Sequence, residues 1–365
     1  MSGVYVSYPF CAQKCTYCNF ASGVFSNGLE RDYRNALVSE LNGQNWPWRP
    51  STIYLGGGTP SRMETSELNP ILAAIPGRPW LEATLETAPG TITFERAVEW
   101  RQAGVNRLSL GVQSFVQREL ARTGRKHTAD MVAREISLLK QAGFSNFNID
   151  LIAGLPGQTM SSWRESLGWI ERLEPPHVSV YMFEIDGDSR LGQEVLLNGA
   201  RYGAHDVPAE ELVAELYEAA VEELARIGIQ RYEISNFARP GYESVHNLKY
   251  WRLEPYIGFG GDAHSFDGSE RFQNVESPGS YVERIRLGQS PRLSSAAANL
   301  KEERFLVGLR LAQGIHLEPQ DWDEFDAPIR RFLKNGLLAK DGDLLRLTNR
   351  GVMLSNEVIA EFLGS

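Results

Sequence analysis

The sequence has little cysteine, no long apolar run and fewer basic than acidic residues. Only three of the 365 residues are cysteine, so they cannot all pair as disulfides. No apolar run approaches the roughly 20 residues that a membrane-spanning helix needs. The formal charge of −9 argues against a general nucleic-acid binder. No basic and apolar secretory pattern opens the chain, and we therefore expect a cytoplasmic protein.

The three cysteines, Cys11, Cys15 and Cys18, lie close together in the spacing CxxxCxxC. Three thiolates on one loop can hold three irons of a [4Fe–4S] cube and leave the fourth iron without a protein ligand. That iron can take the amino and carboxylate groups of S-adenosylmethionine, whose sulfonium a reduced cluster can cleave by passing it one electron. A structural zinc would need a fourth ligand, and a redox CxxC pair would not need Cys11. The spacing therefore predicts a [4Fe–4S] cluster that binds S-adenosylmethionine.

Strand-like apolar runs alternate with amphipathic stretches of helical period through the first half of the chain. Several helical stretches end in a glycine, at Gly104, Gly143 and Gly228, which favours the left-handed conformation that closes a helix. Alternating strands and helices predict a parallel sheet with helices outside it. The pattern favours an α/β fold with a partial (β/α)6 barrel, and an open doubly wound sheet also fits it. Strands are expected at residues 3–8, 52–55, 84–86, 106–112, 146–152 and 178–183.

The end of the chain has a different pattern. Helices are expected from about residue 300, at 325–335 and at 348–362, and a hairpin at 337–347 turns at Asp341-Gly342-Asp343. This order predicts a small winged-helix-like α+β domain. Acidic residues slightly outnumber basic ones there, so no DNA-reading role is expected. The expected division is residues 1–235 for the barrel, 236–295 for a connecting segment and 296–365 for the C-terminal domain.

Polar residues and glycines follow the predicted strands where a barrel fold places its active site. The turn GGGTP at 56–60 lets a ligand approach the backbone closely, and it lacks the Gly-Lys-Ser/Thr of a phosphate loop. Glu86, Gln113 and Asp150 end three later strands, and Arg125 lies in the loop after Gln113. The first three could instead cap a helix or satisfy a backbone donor, and Arg125 could be a solvated charge at a helix start. Together they predict the polar lining of one cavity.

These motifs resemble the radical S-adenosylmethionine proteins of the oxygen-independent coproporphyrinogen oxidase family. The resemblance rests on YVSYPFC at 5–11, GGGTP at 56–60, GVQSF at 111–115, DLIAGLPG at 150–157 and the C-terminal domain. It implies that Tyr5, Gly57 and Glu86 contact the cluster-bound S-adenosylmethionine. In the oxidases of the family a second such molecule is lined by positions that match Tyr17, Gly58, Thr59, Gln113, Arg125 and Asp150.

Three features resemble the HemW-type haem chaperones of this family more than its oxidases. The oxidases carry a further cysteine two residues after the third and a longer N-terminal arm, whereas Cys18 is followed here by Asn19-Phe20 and ten residues precede Cys11. The segment HNLKYW at 246–251 fits the HNxxYW pattern of the chaperone branch, which implies that His246 is a haem contact. Without the resemblance, His246 would be interpreted as a hydrogen-bonded structural histidine. Ala88 and Val245 depart from the branch, which usually has Asn and Arg there, and Val245 puts a haem propionate contact in doubt.

The function expected from the resemblance is the binding of haem and its delivery to an acceptor. The expected cofactors are a [4Fe–4S] cluster, S-adenosylmethionine and haem. The expected partners are haem and an unidentified acceptor protein, with membrane association left open and no nucleic acid. The rival functions are oxidative decarboxylation of coproporphyrinogen III and an inactive cluster-bearing scaffold.

Overall fold

Six parallel strands in consecutive order form the centre of the fold. The computed structural model describes residues 1–363. Because the strand order never reverses, each crossover advances in the same direction, which is the winding of a barrel and not of a doubly wound sheet. The sixth strand pairs with a later strand, β8 (Asn236–Ala238), and not with the first, so the barrel is open, as the partial (β/α)6 prediction requires. The strands are β1 (Gly3–Tyr8), β2 (Thr52–Gly57), β3 (Glu82–Thr87), β4 (Arg107–Gln113), β5 (Phe147–Ala153) and β6 (His177–Met182).

Several helices on the outer face of the sheet have a hydroxyl cap at the start or end at a glycine that the sequence predicts. Hydroxyl side chains of Ser26, Thr128 and Thr159 accept from the first turns of α1, α5 and α6. Gly104 and Gly143 have φ angles of 99° and 85°, as expected for glycines that end helices. The helices up to residue 226 are α1 (Asn27–Gly43), α2 (Thr65–Ala73), α3 (Phe94–Gln102), α4 (Gln117–Arg122), α5 (Ala129–Gln141), α6 (Met160–Leu173), α7 (Arg190–Leu196) and α8 (Glu210–Arg226).

The two faces of the central strands differ in polarity because successive side chains alternate. Val4, Val6, Ile53 and Leu55 are completely buried, as expected for side chains covered by the outer helices. The alternate residues, such as Tyr5, Tyr54 and Glu86, are only partly buried and make polar or aromatic contacts with one another. The apolar face packs the sheet against its helices, and the polar face is available to bind a ligand.

Strands that the sequence did not predict extend the sheet at both edges. After β8, the chain crosses to the opposite edge, where β9 pairs in parallel with β1. A short helix, α9 (Val245–Trp251), lies on this crossing and hydrogen-bonds to the first residues of β2 and β3. The crossing therefore passes beneath the amino ends of the barrel strands. The added elements are β7 (Gln230–Arg231), β8 (Asn236–Ala238), β9 (Tyr256–Phe259), β10 (His264–Phe266), β11 (Glu270–Asn274), α10 (Pro278–Arg286) and β12 (Arg292–Ala297).

The C-terminal elements form a separate three-stranded antiparallel sheet with four helices. The hairpin agrees with the predicted one, while the helix predicted at 348–362 is broken at Leu354 and the one predicted from residue 325 begins at Asp321. Phe305, Phe325 and Phe362 pack together in its core, with ring centroids 4.6 to 5.6 Å apart. The elements are α11 (Leu300–Gly308), β13 (Ile315–His316), α12 (Asp321–Lys334), β14 (Leu338–Asp341), β15 (Leu344–Leu347), α13 (Asn349–Met353) and α14 (Ser355–Ala360). Across residues 1–363, no helix is long and apolar enough to cross a membrane.

Candidate radical S-adenosylmethionine site

The cysteine loop follows β1 at the carboxyl end of the barrel. Its two arms are joined where Cys11 N–H donates to Gly23 O over 2.8 Å and Gly23 N–H donates to Pro9 O over 2.9 Å. Thr16 ties the loop to the barrel through Thr123 O and Leu191 N–H. All three cysteines are half-buried. The backbone thus holds three thiols on one short loop that solvent and ligands can reach.

The arrangement of the thiols suits a cluster better than a single ion. Within the described part of the chain, no three His, Cys, Asp or Glu side chains are close enough together to hold one metal ion. In a cube each cysteine binds its own iron, so the sulfurs do not need to converge on one point. Burial raises the pKa of the Cys11 thiol, and hydrogen bonding by the Thr59 and Ser22 hydroxyls opposes that rise.

The glycine turn after β2 lies against β1 and the cysteine loop. Gly57 has a φ of 97°, and a Cβ there would lie 3.3 Å from Tyr5 Oη and 3.2 Å from Ser7 Oγ. A Cβ on Gly58 would lie 2.6 Å from Tyr8 O, and Thr59 N–H donates to Phe10 O over 2.9 Å. The structure therefore brings Tyr5, Gly57, Gly58 and Thr59 together, at a turn that only glycine can form.

Glu86 reaches from β3 to the same turn. Its Oε2 accepts from Gly57 N–H over 3.2 Å, and its Oε1 accepts from Tyr54 Oη–H over 2.9 Å. Burial, and then the charge of Asp150, raises the pKa of Glu86 to about 7. The carboxyl group therefore titrates near neutral pH, and a cationic ligand group beside it would favour its charged form.

Tyr17, Gln113 and Arg125 meet at the end of β4. Arg125 donates from Nε to Tyr17 Oη over 3.1 Å and from Nη1 to Gly111 O over 2.6 Å. The register of β4 with β5 shifts between Gly111 and Gln113, and Gln113 has a φ of 71°. No hydrogen-bond partner reaches the buried Oε1 of Gln113 among residues 1–363. A buried acceptor without a donor is unusual in a folded protein, and a donor group on a bound ligand would satisfy it.

Asp150 lies across from this group on β5. Its carboxylate accepts from Asn148 Nδ2 over 2.6 Å and from Ser109 Oγ over 3.3 Å. Burial raises its pKa, although these hydrogen bonds oppose the rise. Asp150 also faces Glu86 closely enough to raise the pKa of that residue. The two carboxyl groups therefore lie near one another, and their lining of one cavity stays a prediction.

His246 is the one predicted site residue that lies elsewhere. It is completely buried at the opposite end of the barrel, with Nδ1 2.9 Å from Thr52 Oγ1 and Nε2 2.7 Å from Tyr250 Oη. Thr52 begins β2 and Gly57 ends it, so about 17 Å of strand separates the two positions. Burial lowers the pKa of the His246 imidazole well below its usual range. This geometry matches the hydrogen-bonded structural histidine that the sequence suggested without the family resemblance. A haem contact by His246 stays a prediction.

Sequence analysis missed Tyr54 and Lys249, which lie next to predicted site residues. Tyr54 shares a strand face with Thr52, a signal that alternation along β2 could have supplied. Lys249 is buried in α9 with Nζ 4.0 Å from the Tyr250 ring centre and 4.7 Å from that of Tyr256. Burial lowers its pKa to about 7. Nothing in the spacing HNLKYW distinguishes this lysine from an exposed one.

Comparisons with known proteins agree on one family. Residues 5–170 match the radical SAM superfamily, and residues 297–354 match the HemN C-terminal domain. The chain is 32% identical to the heme chaperone HemW of Bacillus subtilis, over 100% of both chains. It is 33% identical to the heme chaperone HemW of Lactococcus lactis, over 99% of this chain and 97% of that one.

The chain belongs to the HemW family of radical SAM proteins.

The structure of coproporphyrinogen III oxidase (HemN) from Escherichia coli has the same fold as this HemW family member. The TM-score is 0.85 at 21% sequence identity, over 99% of this chain and 89% of that one. At this identity the likeness concerns the fold alone. It supports the open barrel with its C-terminal domain.

The cofactors that the radical SAM superfamily implies are a [4Fe–4S] cluster and S-adenosylmethionine, and the residues present fit both. Cys11, Cys15 and Cys18 would hold the cluster, which when bound supplies one electron to the sulfonium. The turn at Gly57 is a cradle that any side chain would fill, and the orphaned Gln113 Oε1 is open to a donor. Gly57 keeps the cradle free of side-chain atoms, and the Glu86 carboxyl group is held beside it by the Gly57 N–H.

Replacing any one of the three cysteines by alanine should abolish the cluster, because no fourth protein ligand is at hand to compensate. Anaerobically reconstituted wild-type protein should hold close to four irons per chain. Iron analysis and the brown absorbance measure both statements. A full cluster retained in Cys18→Ala would contradict the ligand assignment.

Gly57→Val should weaken S-adenosylmethionine binding without removing the cluster. The valine side chain would occupy the cradle beside Tyr5, and the positive φ disfavours any residue other than glycine. The measurement is the electron paramagnetic resonance spectrum of the reduced protein, which should change with S-adenosylmethionine in the wild type and much less in the variant. An equal spectral response in the two proteins would argue against this cradle.

Glu86→Gln should change how stability depends on pH. The pKa of Glu86 is raised when folded, so its contribution to the free energy of unfolding is present below pH 4.5 and is lost as pH rises toward 7. The variant should therefore lose less stability than the wild type between pH 5 and 8, by up to about 3 kcal/mol. Urea unfolding of the ligand-free protein measures this. Glu40→Gln is a positive control that should show the same kind of change, because burial also raises the pKa of Glu40 to about 7 at a site on α1. Identical pH dependence in the Glu86 variant and the wild type would contradict the assignment.

Proposed function

We propose that the chain is a haem chaperone that binds haem and transfers it to an acceptor protein. The observation that carries the proposal is the full-length similarity to relatives named heme chaperone HemW. It is supported at the position two residues after Cys18, where the oxidases of the family have a further cysteine. In this chain that position is occupied by Phe20, which has 67% of its surface exposed.

Haem coordination by His246 requires a change at α9. Both ring nitrogens are already hydrogen-bonded and the side chain has no exposed surface, so Nε2 must first leave Tyr250 Oη. The backbone N–H groups of Val245 and His246 donate to Glu82 over 2.9 and 3.0 Å, and these bonds hold α9 in its closed position. In this proposal α9 moves away from β2 to admit haem, and the neutral imidazole becomes an iron ligand.

The wider setting of the proposal follows the sequence. The haem acceptor in this proposal is another protein, and whether it is associated with a membrane is left open. The chaperone itself acts in the cytoplasm and does not bind nucleic acid. The division into a barrel of residues 1–235, a connecting segment of 236–295 and a C-terminal domain of 296–365 stays a prediction. The rival is oxidative decarboxylation of coproporphyrinogen III, which the HemN-like fold makes worth testing.

The purified, cluster-loaded protein should bind about one haem per chain and should not convert coproporphyrinogen III when reductant and S-adenosylmethionine are present. His246→Ala should weaken haem binding, because it removes the proposed iron ligand, while the iron of the cluster is retained. Haem titration followed by absorbance, with product analysis for the porphyrinogen, measures both. The matched control is His316→Ala, which removes an exposed histidine of the C-terminal domain.

Two outcomes would contradict the proposal. Turnover of coproporphyrinogen III at about 1 per second or more would establish the oxidase. Absence of haem binding at micromolar concentration would leave an inactive cluster-bearing scaffold as the remaining function. If haem binds equally well to His246→Ala, the chaperone function stands and another residue is the ligand.

A further inference from the structure

A chain of buried hydrogen bonds leads from Asp150 to the next strand of the sheet. Asn148 and Asp150 lie two residues apart on β5, so both side chains point to the same face. The Asn148 amide donates from Nδ2 to Asp150 Oδ1 over 2.6 Å and to Ser109 Oγ over 2.8 Å. Its Oδ1 lies 2.7 Å from Nδ1 of His177, which is completely buried on β6. One amide group therefore joins Asp150 to His177.

The hydroxyl group of Tyr232 determines which nitrogen of His177 carries the proton. It lies 2.9 Å from Nε2 and accepts from the Ser244 backbone N–H over 3.2 Å. Among residues 1–363, Nε2 is the one acceptor within hydrogen-bond distance of this hydroxyl, so the O–H group donates to Nε2. Burial lowers the pKa of His177 well below its usual range, and the imidazole is therefore neutral. Its single ring proton is on Nδ1.

The proton on Nδ1 fixes the orientation of the Asn148 amide. Nδ1–H donates to Asn148 Oδ1, so the NH2 group of the amide must face Asp150 and Ser109. Ser179 Oγ lies 3.2 Å from the same Oδ1, but it lies closer to Asn236 Oδ1, at 2.7 Å, and has one proton to donate. Without the imidazole donor, a rotated amide would turn its oxygen toward the Asp150 carboxylate.

We propose that His177 is a positioning residue of the S-adenosylmethionine site, because it holds the Asn148 amide with its donors directed toward Asp150. A carboxylate held in this way is preorganised to face the positive sulfonium or to accept from a donor group of the ligand. This inference rests on the predicted place of Asp150 in that site and does not depend on haem. His177 is itself completely buried and acts only through the amide.

Other charged and titratable groups also act on Asp150. Burial raises its pKa, while the hydrogen bond from Asn148 and the charge of Arg107 oppose the rise. The groups that interact with it from the neighbouring strands and from the loop after β4 are Tyr54, Glu86, Arg107, Tyr181 and Arg125. All of these groups are retained when His177 is replaced. A change in the titration of Asp150 then reports on the orientation of the amide.

The test follows the protonation of Asp150 by infrared difference spectroscopy as a function of pH. The sample is the cluster-loaded full chain, labelled with carbon-13 at its aspartate carboxyl groups, and Asp150→Asn identifies the band of this residue. His177→Phe keeps a ring and removes the donor to Asn148. His177→Asn places an amide donor close to the position of Nδ1 and is the conservative rescue.

Two further variants complete the set. Tyr232→Phe removes the hydroxyl that fixes the tautomer and leaves every group that touches Asp150 in place. Tyr217→Phe is the matched control, because it removes a buried tyrosine hydroxyl that donates to the backbone carbonyl of Ile234. Iron content and thermal unfolding establish that each variant is folded and loaded. The dissociation constant of S-adenosylmethionine is measured on the same proteins by anaerobic equilibrium dialysis.

In His177→Phe the protonation midpoint of Asp150 should rise by about one pH unit or more, because the carboxylate loses a charge-assisted donor. The dissociation constant of S-adenosylmethionine at neutral pH should rise roughly three- to tenfold in the same variant. Tyr232→Phe should raise the midpoint by less, since the imidazole can still present Nδ1–H. His177→Asn and Tyr217→Phe should stay close to the wild type in both measurements.

The inference is overturned if the Asp150 midpoint is the same in His177→Phe and the wild type, or if it shifts while the affinity for S-adenosylmethionine does not change. An equal shift in His177→Asn also overturns it, because packing and not the donor would then be responsible. Should His177→Phe fail to fold, an unshifted midpoint in Tyr232→Phe decides against the inference. Absence of haem binding in the wild type refutes only the proposed function, so the two failures are distinguishable.

Discussion

Parallel pairing of β1 to β6 in consecutive order is the constraint on which the site depends. It places the carboxyl ends of all six strands at one rim, where the cysteine loop, the Gly57 turn and the Glu86 and Asp150 carboxyl groups meet. Residues separated by more than a hundred positions are thereby brought to one end of the sheet. The apolar alternate residues bury the sheet against its helices, and this burial holds the polar face in place although that face contributes little apolar contact itself.

The opposite rim is closed by polar contacts. Helix α9 rests on Glu82 through two backbone N–H groups and on Thr52 through His246. Lys249 is buried beside them without a hydrogen-bond partner for Nζ among residues 1–363. An amine that lacks a partner reduces the stability of the closed helix, because burying a polar group without a hydrogen bond is unfavourable. Helix α9 is thus held less firmly than its burial suggests.

The sequence predicts the parts of the fold that local pattern controls. Strand β1 has the bounds expected, and the residues named for the S-adenosylmethionine site converge, because strand ends in a parallel sheet share one rim. The edge strands β7 to β12 were missed because most of them are short and because β9 joins the sheet beside β1, far away along the chain. The burial of His246 was left open for the same reason: its partners Thr52 and Glu82 lie 194 and 164 positions away. Such contacts have no periodic signature.

The placement of β9 affects the order in which the fold can be completed during synthesis. Strand β1 carries the cysteine loop and lies between β2 and β9, yet β9 begins only at Tyr256, far beyond β2 in the chain. Until β9 has been made, one edge of β1 has no strand beside it, although β2 to β6 and the helices between them have already emerged from the ribosome. Strand β1 is therefore among the last of the barrel strands to acquire both of its neighbours.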